Sequence, residues 1–137
     1  MMTMDARRQI SANDRAKILL VEDDSGVRRS LQLLLQANGF DVRAYASGGA
    51  LLADETTLTA ACLVADLCMA DHNGIDTLTE LRKKGWTGRA ILITAFGSAS
   101  IDDNARAAGF DAILEKPLRK HVLLNLVGRL VRPDMDV

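Results

Sequence analysis

The sequence of 137 residues predicts an α/β fold, in which a parallel sheet is covered by helices on both faces. Short apolar runs alternate with amphipathic stretches between residues 17 and 132, and five strand–helix units fit into that interval. Several runs are almost continuously apolar, which is typical of parallel strands buried on both faces. Strands that alternate with helices in this way pair in parallel through right-handed crossovers.

The predicted strands share aliphatic residues bounded by charged or turn residues. The first, residues 17–21, reads Lys-Ile-Leu-Leu-Val and is followed directly by three acidic residues. The second is weaker, and near its end only the phenol of Tyr45 is ionisable. The strands are predicted at residues 17–21, 41–46, 61–65, 90–94 and 112–114.

The predicted helices carry apolar residues at intervals of three and four, which places them on one face. In the first helix these are Val27, Leu31, Leu34 and Leu35. Three helices are followed by glycine and then an aromatic residue, which predicts a left-handed glycine that ends the helix. These glycines are Gly39, Gly85 and Gly109. The helices are predicted at residues 25–38, 47–54 or 47–55, 75–84, 98–108 and 119–131.

Composition limits the function classes. We expect one domain at residues 17–132, a flexible arm at 1–16, a tail at 133–137 and no output domain. With 17 basic and 18 acidic residues, the chain has no charge excess that favours nucleic acid or a membrane surface. Cys62 and Cys68 make no disulfide framework, and the N-terminus lacks a signal sequence, so we expect a cytoplasmic protein.

Polar residues follow four of the five predicted strands. Glu22 and Asp23 follow the first strand, Asp66 the third, and Lys116 the fifth, while Thr94 ends the fourth. The carboxyl ends of parallel strands meet at one edge of a sheet, so we expect these side chains to converge. At ~5 Å, two carboxylates repel by about 3 kcal/mol at an effective dielectric constant near 20.

A cluster of carboxylates either holds protons or recruits a cation. Because Asp and Glu ionise near pH ~4, a hard cation that prefers oxygen, such as Mg²⁺, is favoured. A metal, a lysine and a hydroxyl around one carboxylate indicate phosphoryl transfer, with Asp66 as nucleophile and Thr94 and Lys116 around the phosphoryl oxygens. Each residue alone also has a simpler structural role, and Asp24 or Ser25 is expected to cap the following helix.

Four stretches in this order resemble the receiver domain of two-component response regulators. Together they span most of residues 17–131, and each is short. The resemblance implies a flavodoxin-like sheet with the strand order 2-1-3-4-5. The stretches are Ile18-Leu19-Leu20-Val21-Glu22-Asp23-Asp24, Asp66-Leu67-Cys68-Met69-Ala70-Asp71-His72-Asn73-Gly74, Ile91-Leu92-Ile93-Thr94-Ala95 and Glu115-Lys116-Pro117-Leu118.

The resemblance also implies residue roles. Asp66 is similar to the family's phosphoacceptor, which takes a phosphoryl group from a phosphohistidine of a histidine kinase or a histidine phosphotransfer protein. Asp23 resembles the direct Mg²⁺ ligand, Glu22 acts through water, and Asp66 and the backbone carbonyl of Cys68 complete the set. Thr94 resembles the switch hydroxyl. The chain would be no conventional enzyme, because it would catalyse only its own phosphorylation and dephosphorylation.

Further expectations follow from the same family. Lys116 resembles the lysine that pairs with the phosphate, and the Lys116–Pro117 peptide is expected to be cis. Signalling would pass to a downstream protein partner or along a phosphorelay, from a monomer or weak dimer. Arg28 and Arg29 are expected on a solvated helix face, where a helix of the kinase would also dock by resemblance.

Some positions depart from the usual receiver pattern. Ala70 replaces a common proline, and Ile113 replaces a common aromatic residue three positions before the lysine, so the usual aromatic form of signal propagation is not expected. Cys68 and Phe96 flank the site and offer no base for water, which predicts slow self-dephosphorylation.

Three alternatives remain open. A non-phosphorylated receiver used only for interaction would keep the fold. A magnesium-dependent phosphatase with an aspartyl nucleophile would need a second Asp two residues after Asp66, where this chain has Cys68. Flavodoxin-like cofactor binding would need a phosphate-cradling first loop, whereas Glu22, Asp23 and Asp24 would repel a phosphate.

Overall fold

A parallel sheet of five strands forms the centre of the computed structural model, which describes residues 15–69, 73–95 and 97–132. Numbered by their order in the chain, the strands lie in the order 2-1-3-4-5, which confirms the fold class and the strand order implied by the resemblance. Every neighbouring pair is parallel, so all carboxyl ends lie at one edge. The strands are β1 (Lys17–Val21), β2 (Asp41–Tyr45), β3 (Cys62–Asp66), β4 (Arg89–Thr94) and β5 (Ala112–Glu115).

The described residues form five α-helices, of which four lie between strands and the fifth follows β5, each starting or ending close to its predicted boundary. The pattern missed a 3₁₀ helix at Glu55–Thr59, which is too short to show a helical period. It is capped by Asp54, whose carboxylate accepts the Thr56 amide at 2.9 Å. The helices are α1 (Ser25–Ala37), α2 (Gly48–Ala53), α3 (Gly74–Lys83), α4 (Ala99–Ala108) and α5 (Lys120–Val131).

Glycine ends three of the helices as predicted. Gly39, Gly85 and Gly109 have φ angles of 92°, 95° and 107°. In each case the following aromatic residue donates its backbone N–H to the carbonyl five residues earlier, for example Phe40 to Leu35 at 3.2 Å. This bond and the left-handed glycine define the Schellman motif, which turns the chain sharply into the next strand.

Alternate side chains of each strand feed two apolar cores. In β1, Ile18 and Leu20 face the core under α1 and α5, whereas Leu19 and Val21 face the core under α2, α3 and α4. All four are at most 1% exposed. The two cores hold the strands in register from both sides, so the carboxyl edge is a rigid platform.

Val27 departs from the predicted inward face of α1. Leu31 and Leu35 are buried, but Val27 is 39% exposed. It lies in the first turn of α1 and lines a cavity of about 180 Å³ together with Glu22 and Lys116. The helical period predicts the direction of a side chain but not where the sheet beneath it ends.

Arg82 lies at the edge of the molecule opposite the carboxyl ends of the strands. The Arg82 guanidinium lies 5.0 Å from the ring centroid of Trp86 and donates to the carbonyls of Trp86 and Gly109 at 3.0 and 3.3 Å.

Residues 1–14 of the predicted arm and the predicted tail at 133–137 lie outside the described residues. In the part that is described, no helix is both long enough and apolar enough to span a membrane.

Tyr45 links the end of β2 to the start of the 3₁₀ helix. Its hydroxyl donates to Asp54 Oδ2 at 2.6 Å. This hydrogen bond, followed by those from Thr56, lowers the pKa of Asp54 to about 2. Burial, followed by the bond to Asp54, raises the pKa of Tyr45.

The helix-ending glycines predict a graded response to alanine. Gly39→Ala should destabilise the protein by about 1 kcal/mol, since its positive φ is strained for alanine although nothing lies within 4 Å of the new Cβ. Gly109→Ala should cost more, because its Cβ would lie 3.2 Å from Arg82 Nε. Gly128→Ala, in the interior of α5 with open space around it, should stabilise by up to about 1 kcal/mol. Urea unfolding measures all three, and equal effects at Gly39 and Gly109 would contradict the role of Arg82.

The contact between Tyr45 and Asp54 predicts a pH dependence. Because the pKa of Asp54 is lowered in the folded state, its contribution to stability is present above about pH 4 and is lost as the pH falls towards about 2. Tyr45→Phe should raise the pKa of Asp54 towards its ordinary value. Carboxyl ¹³C titration by NMR measures this directly, and an unchanged midpoint in Tyr45→Phe would refute the assignment.

Candidate functional site

The carboxyl edge of the sheet brings together acidic residues from two neighbouring strands. Glu22 directly follows β1, and Asp66 is the last residue of β3, which pairs with β1. One carboxylate oxygen from each of Glu22, Asp23 and Asp66 lies within 4.8 Å of the others. Glu22 and Asp66 are only 2% and 5% exposed, whereas Asp23 faces solvent. We call these three residues the acidic triad.

Lys116 reaches into the acidic triad from the end of β5. Its Nζ lies 3.2 Å from Asp66 Oδ2 and 3.8 Å from Glu22 Oε1. Burial alone would lower the pKa of Lys116, but the hydrogen bond and charge of Asp66, with the charges of Glu22 and Asp23, outweigh it and raise the pKa. The lysine is therefore a cation that partly compensates the carboxylates.

Glu22 lies in surroundings that disfavour its charged form. Burial raises the pKa of Glu22 to about 7, and the nearby charge of Asp66 adds to the effect. A hydrogen bond from the Asp24 amide to Glu22 Oε2, at 3.2 Å, acts in the opposite direction. When all three carboxylates are ionised, their negative charge exceeds the single positive charge of Lys116, and a proton on Glu22 or an additional cation would relieve this surplus.

The donor set of the triad fits a magnesium ion. Mg²⁺ prefers carboxylate oxygens, uses few protein ligands and retains several waters. Three converging carboxylates, one of them exposed, supply such ligands and leave a side open to solvent. Glu22, Asp23 and Asp66 are the residues that would hold the ion.

Other predicted site residues lie at or near this edge. Thr94 ends β4 and is 1% exposed, and its backbone carbonyl accepts the Lys116 amide at 2.8 Å. Cys68 follows Asp66 by two residues and has an exposed side chain. The hydroxyl role of Thr94 and the carbonyl of Cys68 as a metal ligand stay predictions. The Lys116–Pro117 peptide is cis, as expected.

Three further positions were named in the sequence because they depart from the usual receiver pattern or flank the site. Ala70 and Phe96 lie outside the described residues. Ile113 is partly buried and packs against the core under α2, α3 and α4.

Arg28 was missed as a residue of this site. It was expected on a solvated face with Arg29, and Arg29 is indeed exposed, but Arg28 is only partly so. Its Nη1 donates to the backbone carbonyl of Glu22 at 2.9 Å and approaches that of Asp23 at 3.5 Å. Helical side chains lean towards the N-terminus, so an arginine in the first turn after an acidic loop was an available signal.

Glu115, which belongs to the stretch named at the end of the fifth strand, makes a contact that the sequence did not predict. Its carboxylate accepts the Gly97 amide at 3.3 Å, and a Cβ at residue 97 would lie 3.0 Å from Glu115 Oε1. Glu115 pairs with Thr94 in the sheet, so β5 holds the chain on both sides of residue 96. The sequence carried no local signal for this contact between separate segments.

Comparison with known proteins identifies the family. The family model for the response regulator receiver domain matches residues 18–128. The chain belongs to the receiver domain family of response regulators. Receivers are signalling domains of two-component systems, and this assignment agrees with the strand order and the acidic edge of the sheet.

Individual relatives support the same assignment. The transcriptional regulatory protein FixJ of Rhizobium meliloti is 33% identical over 122 residues, which cover 86% of this chain and 60% of FixJ. The crystal structure of FixJ-N is 31% identical, with a TM-score of 0.76, covering 85% of this chain and 93% of that one. The beryllofluoride-activated DrrB receiver domain is 25% identical, with a TM-score of 0.77, covering 85% and 97%. The chain spans about half the length of the curated relatives that it matches.

The surplus of negative charge predicts that a neutral substitution stabilises the metal-free receiver. Glu22→Gln should raise the free energy of unfolding at pH 8 by on the order of 1 kcal/mol, because it removes a buried charge that its surroundings disfavour. Asp103→Asn, at an exposed position on α4, is the control and should have little effect. Urea unfolding in the presence of a chelator gives both values. Destabilisation by Glu22→Gln would show that the triad is balanced without a cation.

Proposed function

We propose that Asp66 accepts a phosphoryl group from the phosphohistidine of a histidine kinase or histidine phosphotransfer protein. The observation that carries this proposal is the position of Asp66, a buried carboxylate with a lysine 3.2 Å away inside an acidic triad at the carboxyl edge. Mg²⁺ would be held by Glu22, Asp23 and Asp66, with the backbone carbonyl of Cys68 as a further ligand.

The residues support the chemistry of this transfer. A carboxylate oxygen of Asp66 forms a bond to phosphorus, the bond from phosphorus to the histidine nitrogen breaks, and the electron pair leaves with the imidazole. Lys116, whose Nζ lies 3.2 Å from Asp66 Oδ2, is placed to stabilise the negative charge of the phosphoryl oxygens. The hydroxyl of Thr94 donates a hydrogen bond to one of those oxygens. When bound, the metal would neutralise further phosphoryl charge.

We further propose that residues 17–132 act as a phosphorylation-controlled module that works through protein partners. The phosphorylated form would present an altered surface to a downstream protein or pass the phosphoryl group on. The near-balanced charge of the chain favours a protein partner over nucleic acid or a membrane, and we propose a monomer or weak dimer.

The non-phosphorylated alternative is less well supported. A receiver used only for interaction has no need of three converging carboxylates that require an external cation. A phosphatase is disfavoured because Cys68 stands where the second acid is needed, and its exposed thiol is no substitute. We therefore expect the chain to catalyse only its own phosphorylation and dephosphorylation.

Phosphorylation of Asp66 is tested with a small donor. With Mg²⁺ and acetyl phosphate, intact mass spectrometry should show the added mass of one phosphoryl group on the wild type and none on Asp66→Asn. Asp103→Asn, which removes an exposed carboxylate on α4, is the control and should be labelled normally. Labelling of Asp66→Asn at the wild-type level would refute the acceptor assignment. Transfer from a panel of labelled histidine kinases then tests the proposed donor.

A further inference from the structure

Arg28 makes an unusual contact with the backbone of the acidic loop between β1 and α1. Its Nη1 lies 2.9 Å from the carbonyl oxygen of Glu22 and 3.5 Å from that of Asp23. The side chain therefore reaches back from the first turn of α1 over the loop that leads into its own helix. The contact with Glu22 is partly buried, which strengthens a charge-assisted hydrogen bond.

The two carbonyls belong to Glu22 and Asp23, whose carboxylates are two of the three in the acidic triad. Other hydrogen bonds also hold the loop: the Glu22 amide donates to the carbonyl of Tyr45 at 3.1 Å, the Asp24 amide donates to Glu22 Oε2 at 3.2 Å, and Asp24 accepts from the first turn of α1. Arg28 adds a restraint on the opposite side of the peptide planes. Rotation of those planes would change the positions of both carboxylates relative to Asp66.

We infer that Arg28 is a positioning residue for the divalent cation site, holding the backbone of Glu22 and Asp23 so that their carboxylates converge on Asp66. This inference rests on the part of the proposed function that assigns Mg²⁺ to the triad. It does not require Asp66 to accept a phosphoryl group.

A role through charge and a role through positioning predict opposite changes in Mg²⁺ affinity when Arg28 is replaced. A cation near the triad repels Mg²⁺, so if Arg28 acted through its charge alone, removing it would increase the affinity for the metal. If Arg28 acts by holding the two carbonyls, removing it lowers the affinity. Arg29 is the matched control, because it is the adjacent arginine on the same helix and is exposed.

The experiment is a Mg²⁺ titration of the full ¹⁵N-labelled chain, followed by amide shifts. Arg28→Met should weaken Mg²⁺ binding about tenfold or more, as is usual when a group that orients a metal ligand is lost. Arg28→Lys keeps the charge but replaces the planar guanidinium with an ammonium group on a shorter side chain, and its affinity should lie between those of Arg28→Met and the wild type. Arg29→Met should bind as tightly as the wild type or slightly more tightly.

A metal-free measurement separates positioning from activity. In the presence of a chelator, hydrogen exchange of the Asp24 amide should be faster in Arg28→Met than in the wild type, because this amide is bound to Glu22 Oε2. It should be unchanged in Arg29→Met. Equal or tighter Mg²⁺ binding by Arg28→Met, or unchanged exchange of the Asp24 amide, would overturn the inference.

Two controls keep the outcomes distinct. If Arg28→Met does not fold, the comparison between Arg28→Lys and the wild type decides, and equal affinities would overturn the inference. If the wild type binds Mg²⁺ with the expected order among variants but is never labelled at Asp66, the acceptor proposal fails and the role of Arg28 stands.

Discussion

The ammonium group of Lys116 lies between two buried carboxylates that the sheet holds close together. Asp66 is 3.2 Å from Nζ and Glu22 is 3.8 Å from it. The two acids belong to neighbouring strands whose register is fixed, so they have no means of relieving their repulsion by moving apart. Burial, followed by the charge of Asp66 and a hydrogen bond with it, raises the pKa of Glu22 to about 7. A proton on Glu22 or a further cation would each relieve the repulsion within the triad.

The apolar sequence pattern, more than the acidic residues themselves, determines where in the fold these carboxylates meet. Side chains that alternate between two cores fix β1 and β3 side by side at the centre of the sheet. Glycine-ended helices lead the chain into β2, β4 and β5, and the 3₁₀ helix leads it into β3, so that every carboxyl end lies at the same edge. Residues that are 50 positions apart, such as Asp66 and Lys116, therefore meet without any local signal between them.

Because the site depends on contacts between distant segments, the sequence predicted some parts of the fold and the site and not others. Alternation of apolar runs and helical periods was sufficient for the fold class, and the strand ends were sufficient to bring Glu22, Asp66 and Lys116 together. The strand order came only through the family resemblance, because local patterns do not say which strands are neighbours. Arg28 was assigned to solvent, since its contact depends on how far the first turn of α1 leans over the preceding loop. The 3₁₀ helix was missed because it is shorter than the window in which periodicity can be recognised.

The contacts of β5 indicate which part of the molecule would respond to a charge added at Asp66. Lys116 binds Asp66 through its side chain and the carbonyl of Thr94 through its backbone amide. The preceding residue, Glu115, holds the amide of Gly97. A shift of Lys116 towards a new anionic group would therefore pull on the chain that leaves β4 at two points. We expect the response to begin at these two contacts, on the side of β4 and β5.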